Sequence, residues 1–202
     1  MTGSWKWYGA VSGILGGVLF VILTFTSMLI YPGGYSFLAN YFSELGLTQV
    51  AGQPNTVNYV LFSAACTSAA VCSVPFWLSI HTVFTKPNSV KYLGYVGTVL
   101  GLAAAPFLSA LAILAGDIFP LEHGMSTILF FLLYASAIVI YSVAILLNKN
   151  YNQWFALVGI IVAAICLLHI FLIGTAWMQK LAVYGLVLWS AFQGYALLKI
   201  FH

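Results

Sequence analysis

Arginine is absent from this 202-residue chain, and only three acidic residues occur in it: Glu44, Asp117 and Glu122. With six lysines added, charged residues make up 4% of the sequence, against about 25% in an ordinary soluble domain. So few charges cannot solvate the surface of a water-soluble globule of this size, which excludes a soluble enzyme. Six scattered lysines form no stripe able to track phosphates, so nucleic-acid binding is excluded as well. Without arginine there is no bidentate phosphate clamp, which weakens the case for phospholipid headgroup chemistry. The three cysteines, Cys66, Cys72 and Cys166, are odd in number, lie in apolar runs and show no C-x-x-C spacing. They argue against a disulfide framework or zinc knuckle and read as small packing residues.

What is present is apolar surface, with 63% of residues hydrophobic. A transmembrane helix takes about 20 such residues. Apolar runs bounded by polar, Pro or Gly breaks predict six spans, roughly 8–31, 57–84, 92–115, 125–147, 153–174 and 181–201, in a single membrane domain over 1–202. The runs are continuous, not alternating, so the fold class is an all-α bundle; a closed β-barrel, the other backbone solution in lipid, is excluded. All connections except 32–56 are short, which makes consecutive helices antiparallel neighbours.

The lysines sort by side. Lys6, Lys86, Lys91, Lys149 and Lys199 fall with the two termini, whereas Lys180 and all three acids fall on the other side. The positive-inside rule then places both termini in the cytoplasm and the protein in the cell membrane. The first apolar run is too long for a signal-peptide core and is expected to remain as a helix. Gly9, Gly13 and Gly17 form two overlapping GxxxG spacings, and Gly97 with Gly101 a third, so close helix approach is expected. Packing within the chain is the favoured use, and self-association through Gly9, Gly13 and Gly17 the alternative. Pro75 and Pro106 fall inside spans and are expected to kink them.

In the long outer loop, Phe37, Leu38, Tyr41, Phe42 and Leu45 recur at helical spacing, with Asn40, Ser43 and Glu44 opposite and Gly46 as a stop. The pattern predicts a short amphipathic helix lying in the outer interface or folded over the bundle mouth. Asn55 or Thr56 is placed to cap the second span.

The runs PGGYSFLANYFSELG, QPNTVNYVLFSAA and GDIFPLEHG resemble the family called domain of unknown function 998, small multi-span proteins of bacteria and archaea. Its outer-loop Asn and Ser-acid-Leu-Gly element corresponds to Asn40 and Ser43 to Gly46, with Glu44 where Asp is more usual. A Gly-x-x-Phe-Pro turn followed by His corresponds to Gly116, Phe119, Pro120 and His123, and a Trp in the last span to Trp189. The resemblance covers most of the chain and implies a six-span fold without an established chemistry.

Ionisable residues inside a membrane are functional hypotheses by default. His169 is expected roughly 8–9 Å below the outer end of the fifth span, while His81 lies near the inner surface. Their depths differ by roughly 20 Å, so they cannot share a metal or haem. Asp117 and His123 flank the Phe119-Pro120 turn, where an Asp–His pair would fix a tautomer and raise imidazole basicity. The candidate catalytic set is Asp117, His123, His169 and Glu44, with Asn40, Ser43 and Glu122 as binding residues. His123, His169 and Asp117 would suit zinc if a metal is bound. His202 receives no functional reading. Three functions fit: an outer-leaflet site that binds or hydrolyses membrane lipid, an accessory or scaffold subunit held by other membrane subunits, and a small transporter. The transporter is weakest, because the span-two hydroxyls are readily satisfied by their own helix backbone.

Overall fold

The computed structural model describes residues 4–201, and His202 lies outside them. Six long helices account for most of the chain: α1 (Ser4–Leu29), α2 (Thr56–Ile80), α3 (Asn88–Ile113), α4 (Pro120–Leu147), α5 (Trp154–Phe171) and α6 (Ala176–Phe201). All six are long and apolar enough to cross a membrane, as expected for an all-α six-span bundle. Four of them begin four or five residues earlier than the apolar runs alone suggest. Lys6, Lys91, Glu122 and Lys180 are helical, because a polar flank at the interface need not end a helix, and Pro120 suits the first turn of α4.

Each helix packs on its neighbours in the chain, and α6 returns to α1, so the six close into a ring. The pattern of burial is that of a protein dissolved in lipid. On α1 the inward stripe is small or polar apart from Phe20, with Gly9, Ser12, Gly13, Gly16, Thr24 and Ser27. Its outward stripe, Leu15, Val18, Ile22, Phe25 and Leu29, is wholly apolar and exposed. Small residues between helices with large aliphatic ones outside is the arrangement that hydrocarbon favours. This is a multi-pass integral membrane protein.

The glycine spacings serve the ring itself. A Cβ on Gly9 would meet the Ser79 side chain and the Pro75 carbonyl, one on Gly13 the Phe76 ring, and one on Gly17 Val187. Gly9 and Gly13 therefore sit against α2 and Gly17 against α6 of the same chain. Gly97 and Gly101 of α3 likewise admit Tyr141 and Trp77.

The half of the ring nearer the termini is filled by aromatics. Trp77 is fully buried, with ring centroids of Tyr134, Tyr141 and Trp189 at 5.2, 5.7 and 5.9 Å. Phe84 and Tyr151 continue this plug. Its tyrosine hydroxyls pair internally: Tyr141 OH lies 2.6 Å from Thr98 Oγ1 and donates to the Gly94 carbonyl at 3.0 Å, and Tyr151 OH donates to Gln193 Oε1 at 2.7 Å. The Trp77 and Trp189 indole N–H groups have no partner among the described residues. His81 lies at this end against Tyr95, well apart along the bundle from His169.

The long loop carries only a 3₁₀ turn, Phe42–Gly46, in place of the expected amphipathic helix. Glu44 ends the longer pattern: its Oε1 accepts the Tyr41 N–H at 2.7 Å, holding Tyr41 extended where a helix would have continued. A two-residue hairpin follows, Gln49–Val50 against Gln53–Pro54. Ala51 and Gly52 both take positive φ at its tip, 50° and 76°, the condition for the primed turns that join tight hairpins. Asn55 does not cap α2 with its side chain; its Nδ2 donates to the Leu47 carbonyl at 2.9 Å and ties the loop to the helix start.

Candidate functional site

The loop before α2 lies over the end of the ring remote from the termini. Glu44 organises it, accepting from Asn40 Nδ2 at 2.6 Å as well as from the Tyr41 backbone. Tyr31 OH reaches the same carboxylate at 3.5 Å. Burial first, then the Glu44 charge and hydrogen bond, push the Tyr31 hydroxyl up from its ordinary value. Tyr35 donates to the Asn40 and Tyr41 carbonyls at 3.2 and 3.0 Å. Asn40 and Glu44 thus hold the loop's own shape and do not present free groups to a ligand.

Three residues of α6 and its approach fasten this cap. Tyr41 OH donates to the Gly174 carbonyl, and Gln179 Oε1 accepts the Phe42 N–H at 2.8 Å. Lys180, only 2% exposed, donates to the Asn40 carbonyl from among the Tyr35, Phe37 and Phe42 rings, whose centroids lie 5.2, 5.3 and 5.4 Å from Nζ. Three aromatic faces around one ammonium form a cation–π cage. Sequence reading missed this role, although a single lysine opposite the other five, beside an aromatic-rich loop, was the available signal.

Asp117 and His123 do not pair. Asp117 accepts from the Thr48 N–H and hydroxyl at 3.0 and 2.6 Å and from the Gln49 N–H at 3.2 Å, joining the α3–α4 turn to the hairpin. His123 Nδ1 instead lies 3.0 Å from the Leu114 carbonyl. Partial burial acts to raise the Asp117 carboxyl, but the Thr48 and Gln49 donors outweigh it and hold the group below its usual value. A lowered carboxylate contributes stability above its unfolded value, about pH 4, and that contribution is lost as pH falls through the lowered one. Asp117→Asn is therefore expected to melt a few degrees lower at pH 7 and to show a flatter decline below pH 4. A thermal melt series across pH in nonionic detergent checks both.

Inside the ring, under Phe42 and Ser43, lies a chamber of about 100 Å³. It reaches down between α1, α2, α4 and α6 to Ser73, Phe76, Tyr134 and Ser190. From Gln179 to Ser190 along α6 this is a depth of about 16 Å. The hydroxyls of its deep part are consumed by protein. Ser12, Ser73 and Ser190 donate to the carbonyls of Gly9, Ala70 and Leu186 at 2.7, 2.7 and 2.8 Å, and Tyr134 OH lies 2.7 Å from Ser190 Oγ. Below Ser43, Thr127 and Gln179 at its mouth, what remains facing the space is apolar.

Four residues, Ser43, Thr127, Phe131 and Gln179, line both this chamber and a vestibule of about 290 Å³. The vestibule lies between α4 and the end of α5, with His123, Gly124 and Ile128 on one side and His169 and Ile170 on the other. His169 is 8% exposed, its ring edge-on to Phe131, and its Nδ1 is buried without a partner of acceptable geometry among the described residues.

The vestibule thus gathers His123, His169 and Ser43 from the expected set and adds Gln179. It does not include Asp117, Glu44 or Asn40, which are engaged elsewhere, and Glu122 is exposed in the first turn of α4. No three His, Cys, Asp or Glu among the described residues are grouped to hold a metal ion, so His123, His169 and Asp117 do not assemble the expected zinc set. Asp117 is withdrawn from it by Thr48, a residue 69 positions away in sequence.

The fold and site define a multi-pass membrane protein with an internal apolar chamber joined to a histidine-bearing vestibule. The chain matches no family model, no curated protein and no solved structure.

Proposed function

We propose that this protein binds a membrane lipid, taking its tail into the chamber and its head into the vestibule. The joined cavities carry this reading: a deep apolar space, closed toward the termini by the Trp77 plug, meets polar side chains only at its upper end. The vestibule lies between two helices, so a lipid enters sideways from the leaflet. Lysine distribution supports a cell-membrane orientation with both termini cytoplasmic and the vestibule in the outer leaflet. Membership of the domain of unknown function 998 family belongs to the same proposal, supported by Asn40, Ser43 to Gly46 and the Gly116 to His123 turn.

Native mass spectrometry of protein purified in mild detergent tests the binding. One lipid per protein is expected to survive in the wild type and to be lost in Thr127→Phe, because Thr127 lines the junction of the two cavities. Equal lipid content in a folded Thr127→Phe protein would contradict the proposal, as would a wild type free of lipid.

A further inference from the structure

We infer that the vestibule recognises an acyl lipid whose head is uncharged and bears a hydroxyl; this rests on the chamber receiving the tail. No Lys, Asp or Glu lines either cavity. Of the nearby charges, Lys180 is committed to its aromatic cage and Asn40, Glu44 to Asn40 and Tyr41, and Asp117 to Thr48 and Gln49, while Glu122 is exposed and outside the vestibule lining. A phosphate or quaternary ammonium head would enter without a fixed counter-charge, which burial penalises strongly. The three-ring cage suited to an ammonium already holds Lys180.

Donor and acceptor directions narrow the head further. The Leu114 carbonyl can only accept, so His123 Nδ1 carries the proton and its Nε2 presents a lone pair. That Nε2 is neither sealed in nor bonded among the described residues, and it calls for a donor. A hydroxyl supplies one, whereas a quinone or ketone head offers only acceptors. Gln179 is oriented by the Phe42 N–H on its Oε1, which turns its Nε2 donors to the junction of the cavities beside Ser43. An acyl carbonyl, located where tail meets head, accepts there. His169 stands on the opposite wall, its ring edge-on to Phe131, and bounds the space left for the head. Tail, carbonyl and hydroxyl then follow in the order in which an acylglycerol carries them.

Four probes sharing one oleoyl chain separate these elements: mono-oleoylglycerol, its phosphate, oleoyl lysophosphatidylcholine and methyl oleate. Binding to the protein in nonionic detergent is followed at pH 8. Mono-oleoylglycerol is expected to bind at least tenfold more tightly than the other three. His123→Phe should bring it down to the level of methyl oleate without changing methyl oleate itself. Gln179→Met should weaken both, and the melting profile of each variant reports folding. Equal or tighter binding of the phosphate, the choline lipid or methyl oleate would overturn the headgroup assignment and leave the chamber reading intact. Failure of all four to bind would overturn both.

Discussion

Trp77→Ala is expected to lower stability by about 3–5 kcal/mol, the range for removing a fully buried large aromatic. Trp77 is the centre of the plug, touching Tyr134, Tyr141 and Trp189, and Gly101 of α3 is small in order to admit its indole. Its loss leaves a void between α2, α3, α4 and α6 and opens the floor of the chamber. Trp77→Phe should cost far less, because the indole N–H has no partner among the described residues and only packing is at stake. Unfolding in mixed micelles, followed by circular dichroism, separates the two variants. Similar losses for both would show that the indole makes a polar contact the structure lacks.

Gly9→Leu is expected to cost about 3 kcal/mol or more, at the upper end of overpacking effects. A Cβ at this position lies 2.5 Å from the Pro75 carbonyl oxygen, a backbone atom that cannot rotate away, and also meets Ser79. The α1 helix would have to withdraw from α2 along its inner half. Gly124 of α4 supplies the contrast, since nothing lies within 4 Å of its Cβ position. Gly124→Ala should be neutral or stabilise by up to about 1 kcal/mol through helix propensity. Comparable melting of the two variants would contradict the packing described for the ring.

Six spans were legible because the solvent of this chain is written in its composition: lipid demands long uncharged runs and short connections, and both are visible without coordinates. The use of the small residues was also legible in kind, but not the partners. GxxxG marks close approach without saying that Gly13 faces Phe76 and Gly17 faces Val187. The site was legible only in part. His123, His169 and Ser43 were singled out and do line one cavity. Asp117 was paired with His123 through nearness in sequence, while its actual partners, Thr48 and Gln49, belong to a hairpin whose Val-Ala-Gly-Gln turn lacks the usual Asn-Gly signal. The Lys180 cage needs three rings from a loop about 140 residues away, as the reach to Asn40 shows. The chamber had no sequence signature, because a void is defined by where side chains stop. Its serines, Ser12, Ser73 and Ser190, are inconspicuous until their hydroxyls are seen turned back onto the helices.

The most direct measurement is photo-crosslinking in native membranes with an acyl lipid carrying a diazirine near the end of its chain, mapped by peptide mass spectrometry. Label on chamber residues such as Cys66, Tyr134 and Leu186, reduced by Thr127→Phe, is the expected result. Label confined to the outward stripe of Leu15, Ile22 and Phe25, with none inside the ring, would contradict the central claim that a lipid tail occupies the bundle.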